Sequence, residues 1–216
     1  MESAIALFSS GGVVMIPLLM LSVAALTLIA ERLLFWGQIM RHQPGVIREM
    51  MSLWQTNPTA ALGLLQRHSD LPMARIFRDP LEAPQTLSTP LSPAAFRLAL
   101  ESATQRELPL LRRFSTAFDI IISTSPLLGL LGTVLGLMQS FSALDLGDPS
   151  AGSAAGVAMG ISEALVSTVT GMAIAIITLT FANIFRGLYR RQLAAIQQYG
   201  TQLELLYLCR LQKKTS

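Results

Sequence analysis

SPLLGLLGTVLGLMQSF, residues 125–141, carries a proline, three glycines and a threonine inside a run hydrophobic enough to cross a bilayer. Such residues are tolerated in a membrane helix where neighbouring helices or a hydrated cavity use the room they leave. Which surface needs that room decides how the chain is built.

The composition around the stretch sets the class. Of 216 residues, 51% are hydrophobic and 13% charged, the latter about half the share of an ordinary soluble domain. A spanning helix needs about 20 apolar residues and excludes charge from its centre, and three runs qualify. One has its apolar part at residues 13–30, between Glu2 and Glu31; the second lies between Asp119 and Asp145; the third covers 164–185 and is preceded by Glu163. The sixteen Lys and Arg fall in two blocks, ten in residues 32–113 and six in 186–214. Basic residues are retained on the cytoplasmic side, so the N-terminus is expected outside and the C-terminus inside. The predicted fold is an all-α integral membrane protein with three transmembrane helices and long helices extending into the cytoplasm. The net charge of +3 then reflects topology and attraction to anionic lipid heads rather than nucleic-acid binding.

Four regions follow: residues 1–35 with the first span, a cytoplasmic helical segment 36–114, a core of two spans and a short external loop over 115–186, and a cytoplasmic C-terminal helix 187–216. The first span has no basic leader and runs directly into Glu31-Arg32, which reads as an uncleaved anchor rather than a signal peptide. DPLEAPQTLSTPLSP, residues 79–93, has four prolines and reads as a linker, ending in a helix start at Ser92-Pro93. Pro109 is expected to kink the following helix or begin a new one, and Arg106, Glu107, Arg112 and Arg113 mark where that helix leaves the membrane surface. Cys209 is a lone thiol with no disulfide or metal partner. His42 and His68 both lie in the cytoplasmic segment, which leaves the spans without the nucleophile–base pairs or metal ligands an intramembrane enzyme needs. Neither a metal nor a cofactor is expected.

At about 100° per residue, Asp119, Pro126, Gly129, Thr133 and Ser140 fall within about 40° of Thr133. A small, polar stripe of this kind either lets helices approach closely or lines a cavity. In the third span, GISEALVSTVTG, residues 160–171, puts Glu163, Ser167 and Thr170 on one face; Thr168, about 140° from Glu163, shares another with Ala164, Gly171 and Ala175. A carboxylate inside a span marks either a functional site or a structural acid hydrogen-bonded to a neighbouring helix. Thr133 lies 12 residues before Asp145 and Thr168 lies 12 after Gly156, so both hydroxyls are expected at similar depth, about 18 Å of helix from the outer end.

SPLLGLLGTVLGLMQSF, a short loop and ISEALVSTVTGMAIAI together resemble the signature of the MotA/TolQ/ExbB family of proton-channel stator proteins. The resemblance covers residues 106–186 closely and the first span in topology; the short cytoplasmic segment is more similar to ExbB or TolQ than to the flagellar branch. It implies a homopentamer in the bacterial inner membrane, surrounding the single-span helices of two copies of an ExbD- or TolR-like partner. Protons, the coupling ion, would flow past an aspartate of that partner and drive rotation that energises import through a TonB-like protein or envelope maintenance through a TolA-like one. Thr133 and Thr168 match the family's pore-lining threonines, Glu163 its intramembrane glutamate, and Pro126 the proline that opens the motif. On this reading Gly129, Gly132 and Gly136 face a narrow pore; Asp119, below Thr133 on the same side of the wheel, is either a cytoplasmic exit for protons or a snorkelling interfacial charge. AIAIITLTF, residues 173–181, lacks a proline that many members have there. The competing class is a membrane scaffold that uses the same stripes for packing alone.

Overall fold

The computed structural model describes residues 12–87, 91–144 and 151–215, with side chains over 12–82, 91–142 and 156–212. The described residues form six helices and no strand: α1 (Met15–Thr56), α2 (Pro58–Arg67), α3 (Pro72–Leu87), α4 (Pro93–Leu111), α5 (Ser115–Leu144) and α6 (Ala151–Thr215). Three helical stretches, within α1, α4–α5 and α6, are long and apolar enough to cross a membrane. The chain is an all-α, multi-pass membrane protein.

It divides into two units, Met1–Glu31 with Phe114–Ile184 and Arg32–Arg113 with Phe185–Ser216. The division follows charge. The first unit contains no Lys or Arg, and all sixteen lie in the second.

In the first unit α5 and α6 pack antiparallel along a seam of small residues. A Cβ added to Gly136 would stand 2.6 Å from the Gly160 carbonyl oxygen and 3.0 Å from Ala164 Cβ; one on Gly129 would stand 3.0 Å from Ser167 O and Thr168 Cα. Gly132 faces the Ser167 side chain, and Gly171 faces the Ser125 carbonyl. These contacts set one register, with Ser125 opposite Gly171, Gly129 opposite Ser167–Thr168, and Gly136 opposite Gly160–Ala164. Hydroxyls staple it. Ser167 Oγ and Thr168 Oγ1 donate to Gly129 O at 3.3 and 3.1 Å, and Ser140 Oγ is shared between Gly136 O at 2.9 Å and Val157 O at 3.2 Å. Val14, Met15, Leu18 and Ala25 of the α1 segment form an apolar cluster with Ile121 of α5 and Ile174 of α6, extended by Leu21, Leu28, Leu128 and Val166.

In the second unit the C-terminal part of α1 buries Trp36, Ile39, Gln43, Val46, Ile47, Met50 and Trp54, a helical stripe. Gln43 lies within it and donates to Gln192 Oε1 of α6 at 2.9 Å. Arg75 and Glu107 pair bidentately at 2.9 and 2.6 Å, tying α3 to α4. Phe96 of α4 and Tyr207 of α6 stack at 4.2 Å, the Tyr207 hydroxyl donates to Leu91 O at 3.2 Å, and burial pushes its pKa up.

Three expectations are corrected. The proline-rich linker over 79–93 is helical as far as Leu87; Met73, Ile76, Phe77, Pro80 and Leu81 are all buried. That i, i+3, i+4, i+7, i+8 stripe buries five side chains at about 1.5–3 kcal/mol each, enough to offset a cost of ~3 kcal/mol for each of the interior prolines Pro80 and Pro84. Residues 88–90 lie outside the described ones. The break expected at Pro109 comes after it, where Phe114 adopts φ 68, a left-handed conformation that ends a helical run. The external loop expected over 145–156 is shorter, because α6 begins at Ala151; 145–150 lie outside the described residues.

Replacing Tyr207 by Phe should lower the unfolding free energy by about 1 kcal/mol and by Ala by about 3–5 kcal/mol, measured by denaturation of the detergent-solubilised protein. Gly136→Ala, which meets a backbone oxygen, should cost about 1–3 kcal/mol by the same assay. Gly37→Ala, with nothing within 4 Å of the added Cβ, should cost nothing.

Candidate functional site

The register of the α5–α6 seam fixes where each candidate residue lies. On α5 the buried seam residues Ser125, Gly129, Gly132, Gly136 and Ser140 centre about 70° from Thr133 around the helix. On α6 Gly160, Ala164, Ser167, Gly171, Ala175 and Thr178 are buried and centre about 70° from Thr168 in the same rotational sense. For two antiparallel helices, equal offsets of the same sense point to the same side. Thr133 and Thr168 therefore share one flank of the pair. Pro126 and Asp119 share it too, being within about 40° of Thr133.

The two hydroxyls are not level. Thr168 is opposite Gly129, one turn or about 6 Å along α5 from Thr133. Equal depth was expected from a loop ending at Gly156, and the early start of α6 moves Thr168 further from the connection. Each hydroxyl proton is held by a carbonyl, Thr133 Oγ1 donating to Leu130 O at 2.6 Å and Thr168 Oγ1 to Gly129 O at 3.1 Å. A hydroxyl that donates once keeps lone pairs that accept from water. Both threonines are half-buried, and the flank around them exposes Leu130, Leu137, Leu165 and Met172.

Gly129, Gly132 and Gly136 are buried against α6. The room they leave is taken up by backbone and by Ser167, so they do not line an open channel in this chain. Of the two uses of a small stripe, close packing is the one these glycines serve. Pro126 is half-buried in the interior of α5, where its missing N–H leaves one carbonyl without its usual helical donor. Asp119 is exposed near the start of α5, its backbone carbonyl accepting from Ser123 Oγ at 2.9 Å.

Glu163 lies on the other side of the pair. Its phase on α6 is about 140° from Thr168, toward α1, and its carboxylate occupies the place a Cβ would take on Gly12. Gly12 has φ +67, immediately before the first turn of α1. Sequence reasoning left open whether Glu163 is a functional site or a structural acid held by a neighbouring helix, and missed Gly12, Gly160 and Ser125 as partners in these contacts. The signal for two of them was present: Gly160, Ala164, Ser167, Gly171 and Ala175 on α6, and Ser125, Gly129, Gly132, Gly136 and Ser140 on α5, repeat small residues every three or four positions. Gly12 carries no such pattern.

Among the described residues no group of three His, Cys, Asp or Glu is placed to hold a metal ion, and the spans offer hydroxyls and one carboxylate. Residues 68–198 match the model of the MotA/TolQ/ExbB proton channel family. The biopolymer transport protein ExbB-like 3 of Synechocystis sp. is 54% identical over 198 residues, covering 92% of both chains. ExbB-like 1 of the same organism is 37% identical over 93% of this chain and 77% of its own. The biopolymer transport protein ExbB of Helicobacter pylori is 43% identical over 68 residues, 32% of this chain and 46% of that one. With 131 residues inside the family match and a relative of more than half identity along nearly its whole length, the chain belongs to the MotA/TolQ/ExbB proton channel family, on its ExbB-like side.

Proposed function

We propose that this chain is the ring-forming subunit of a proton-driven motor in the bacterial inner membrane, its N-terminus outside. Five copies would surround two single-span helices of an ExbD- or TolR-like partner, and proton flow would energise TonB-dependent import or a Tol-like envelope process. The observation that carries the reading is the shared flank of Thr133 and Thr168, two half-buried hydroxyls among the exposed side chains of Leu130, Leu137, Leu165 and Met172. A lipid-facing surface gains nothing from them, whereas a hydrated path gains two relay points that carry no charge of their own. The partner's aspartate crosses the apolar zone only when neutral, which couples proton occupancy to position. Asp119, on the same flank and 14 residues from Thr133, is about 21 Å along α5 and stands at the cytoplasmic end of such a path.

The glycine seam favours the scaffold alternative as far as the glycines go, since close packing accounts for all three. It accounts for Thr168 in part, whose hydroxyl bonds Gly129 O across the seam, and not for Thr133, whose hydroxyl bonds within its own helix.

Native mass spectrometry of the detergent-extracted protein, co-expressed with its single-span partner, should show five copies with two partners. A monomer or dimer indifferent to the partner would instead establish the scaffold. Reconstituted in liposomes, the complex should dissipate a pH gradient, and Thr133→Val and Thr168→Val should each slow it by about a hundredfold or more, the range a positioned proton-transfer group contributes. Full flux in both variants would remove the relay role.

A further inference from the structure

Among the described residues, the membrane part of α1 packs against α5 and α6 through apolar side chains. Its cluster with Ile121, Ile174, Leu128 and Val166 contributes packing, but lipid tails are as apolar as these side chains, so burial supplies no hydrophobic drive between spans. Thr27 spends its hydroxyl within its own helix, on Val23 O at 2.8 Å. At the start of the helix the situation differs. The first N–H groups of a helix have no partner inside it and form the positive end of its dipole, and here the chain turns through Gly12 at φ +67 with Glu163 of α6 seated against it. A side chain at position 12 is disfavoured by the backbone conformation and blocked by the carboxylate, a block that shortening residue 163 removes. Glu163 lies on the face of α6 that α1 covers, opposite the flank of Thr133 and Thr168.

We propose that Glu163 is a positioning residue that fastens the N-terminal end of α1 to α6, and that it affects conduction by holding α1 in place rather than by carrying protons. The proposal rests on the proton-conducting reading for its functional half, while the contact itself stands apart from it. A carboxylate or an amide oxygen fits the seat equally, whereas only a carboxylate can carry a proton through a relay.

The test uses the full chain with Cys209 replaced by Ser, in complex with its partner. In a Gly12→Cys, Glu163→Cys variant the two sulfurs fall within disulfide reach, so mild oxidation should remove both thiols from labelling by a maleimide. Val13→Cys with Glu163→Cys, in which position 13 is 80% exposed, should stay labelled. In liposomes Glu163→Gln should conduct within about threefold of the parent. Glu163→Ala and Gly12→Ala should each lose about tenfold, and the double variant no more than either, as for two halves of one contact. Glu163→Gln as inactive as Glu163→Ala, with Gly12→Ala active, would make Glu163 a proton carrier and overturn the proposal, as would failure of the cysteine pair to cross-link. If the parent complex conducts no protons, the motor reading falls by itself. The contact is then judged by the cross-link and by melting temperature, with Glu163→Gln near the parent and Glu163→Ala and Gly12→Ala lowered together.

Discussion

Two helices can bring their backbones together only where both give up side chains along the line of contact. Residues 125–140 of α5 and 157–171 of α6 do this, and the rest of the membrane unit is arranged by it. Close approach brings the hydroxyls of Ser140, Ser167 and Thr168 within reach of carbonyls on the other helix or its own, so dispersion contacts and weak polar bonds accumulate along the full seam. In a bilayer these forces replace the hydrophobic effect. Because each small residue on one helix meets a particular partner on the other, the seam also fixes axial register and rotation. The placement of the residues in the proposed proton path follows from those two settings: Thr133 and Thr168 emerge on one flank a turn apart, and Glu163 on the other.

The second unit is held by different physics. Its helices carry all the basic residues, and its interior is that of a water-soluble bundle, with Trp36, Ile47, Met50, Phe77, Phe96 and Leu203 almost fully buried. There burial of apolar area does the work, at roughly 25 cal/mol per Å², and Gln43–Gln192 and Arg75–Glu107 enter it as polar pairs. Helices α1 and α6 contribute to both units. The change of solvent is written along each of them as the loss and then the return of charge, at Glu31-Arg32 in α1 and at Arg186 in α6.

The three spans and the all-helical class were legible because they depend on hydropathy over about 20 residues, which averages over local detail. The small stripe on α5 was legible too, but its meaning was displaced. Centred on Thr133 it looked like one face serving one purpose, whereas the structure divides it: Gly129 and Ser140 belong to the seam, and Thr133 and Pro126 to the flank beside it. A rotation of about 70° separates packing from exposure on a helix, finer than a wheel drawn without knowledge of the partner helix resolves. Residues 79–87 misled for the opposite reason. Prolines report local cost, and the buried stripe through Phe77 and Leu81 that outweighs it becomes visible only when the helices covering it are known. Gly12 had no periodic signal at all, since a left-handed residue before a helix is a single event.

With the glycines assigned to packing, the chemistry of the proposed path is left to two hydroxyls whose protons are already committed. Thr133 donates to Leu130 O and Thr168 to Gly129 O, and a relay that receives a proton on a lone pair must release the one it holds. Each threonine therefore has to break its backbone bond and turn toward the path before it can pass a proton on. The acceptor thereby left without its hydroxyl is a helix carbonyl, a group with a second lone pair that water can satisfy, so the turn requires water on that flank. A single chain exposes Leu130, Leu137, Leu165 and Met172 there, side chains that a dry, lipid-filled surface suits better than a wet one. Hydration of the flank has to come from what faces it in an assembly, and in the proposed complex that is the charged residue of a partner helix. The same geometry makes conduction depend on assembly: an isolated subunit keeps its hydroxyls locked to carbonyls, and the path opens where a second surface holds water against them.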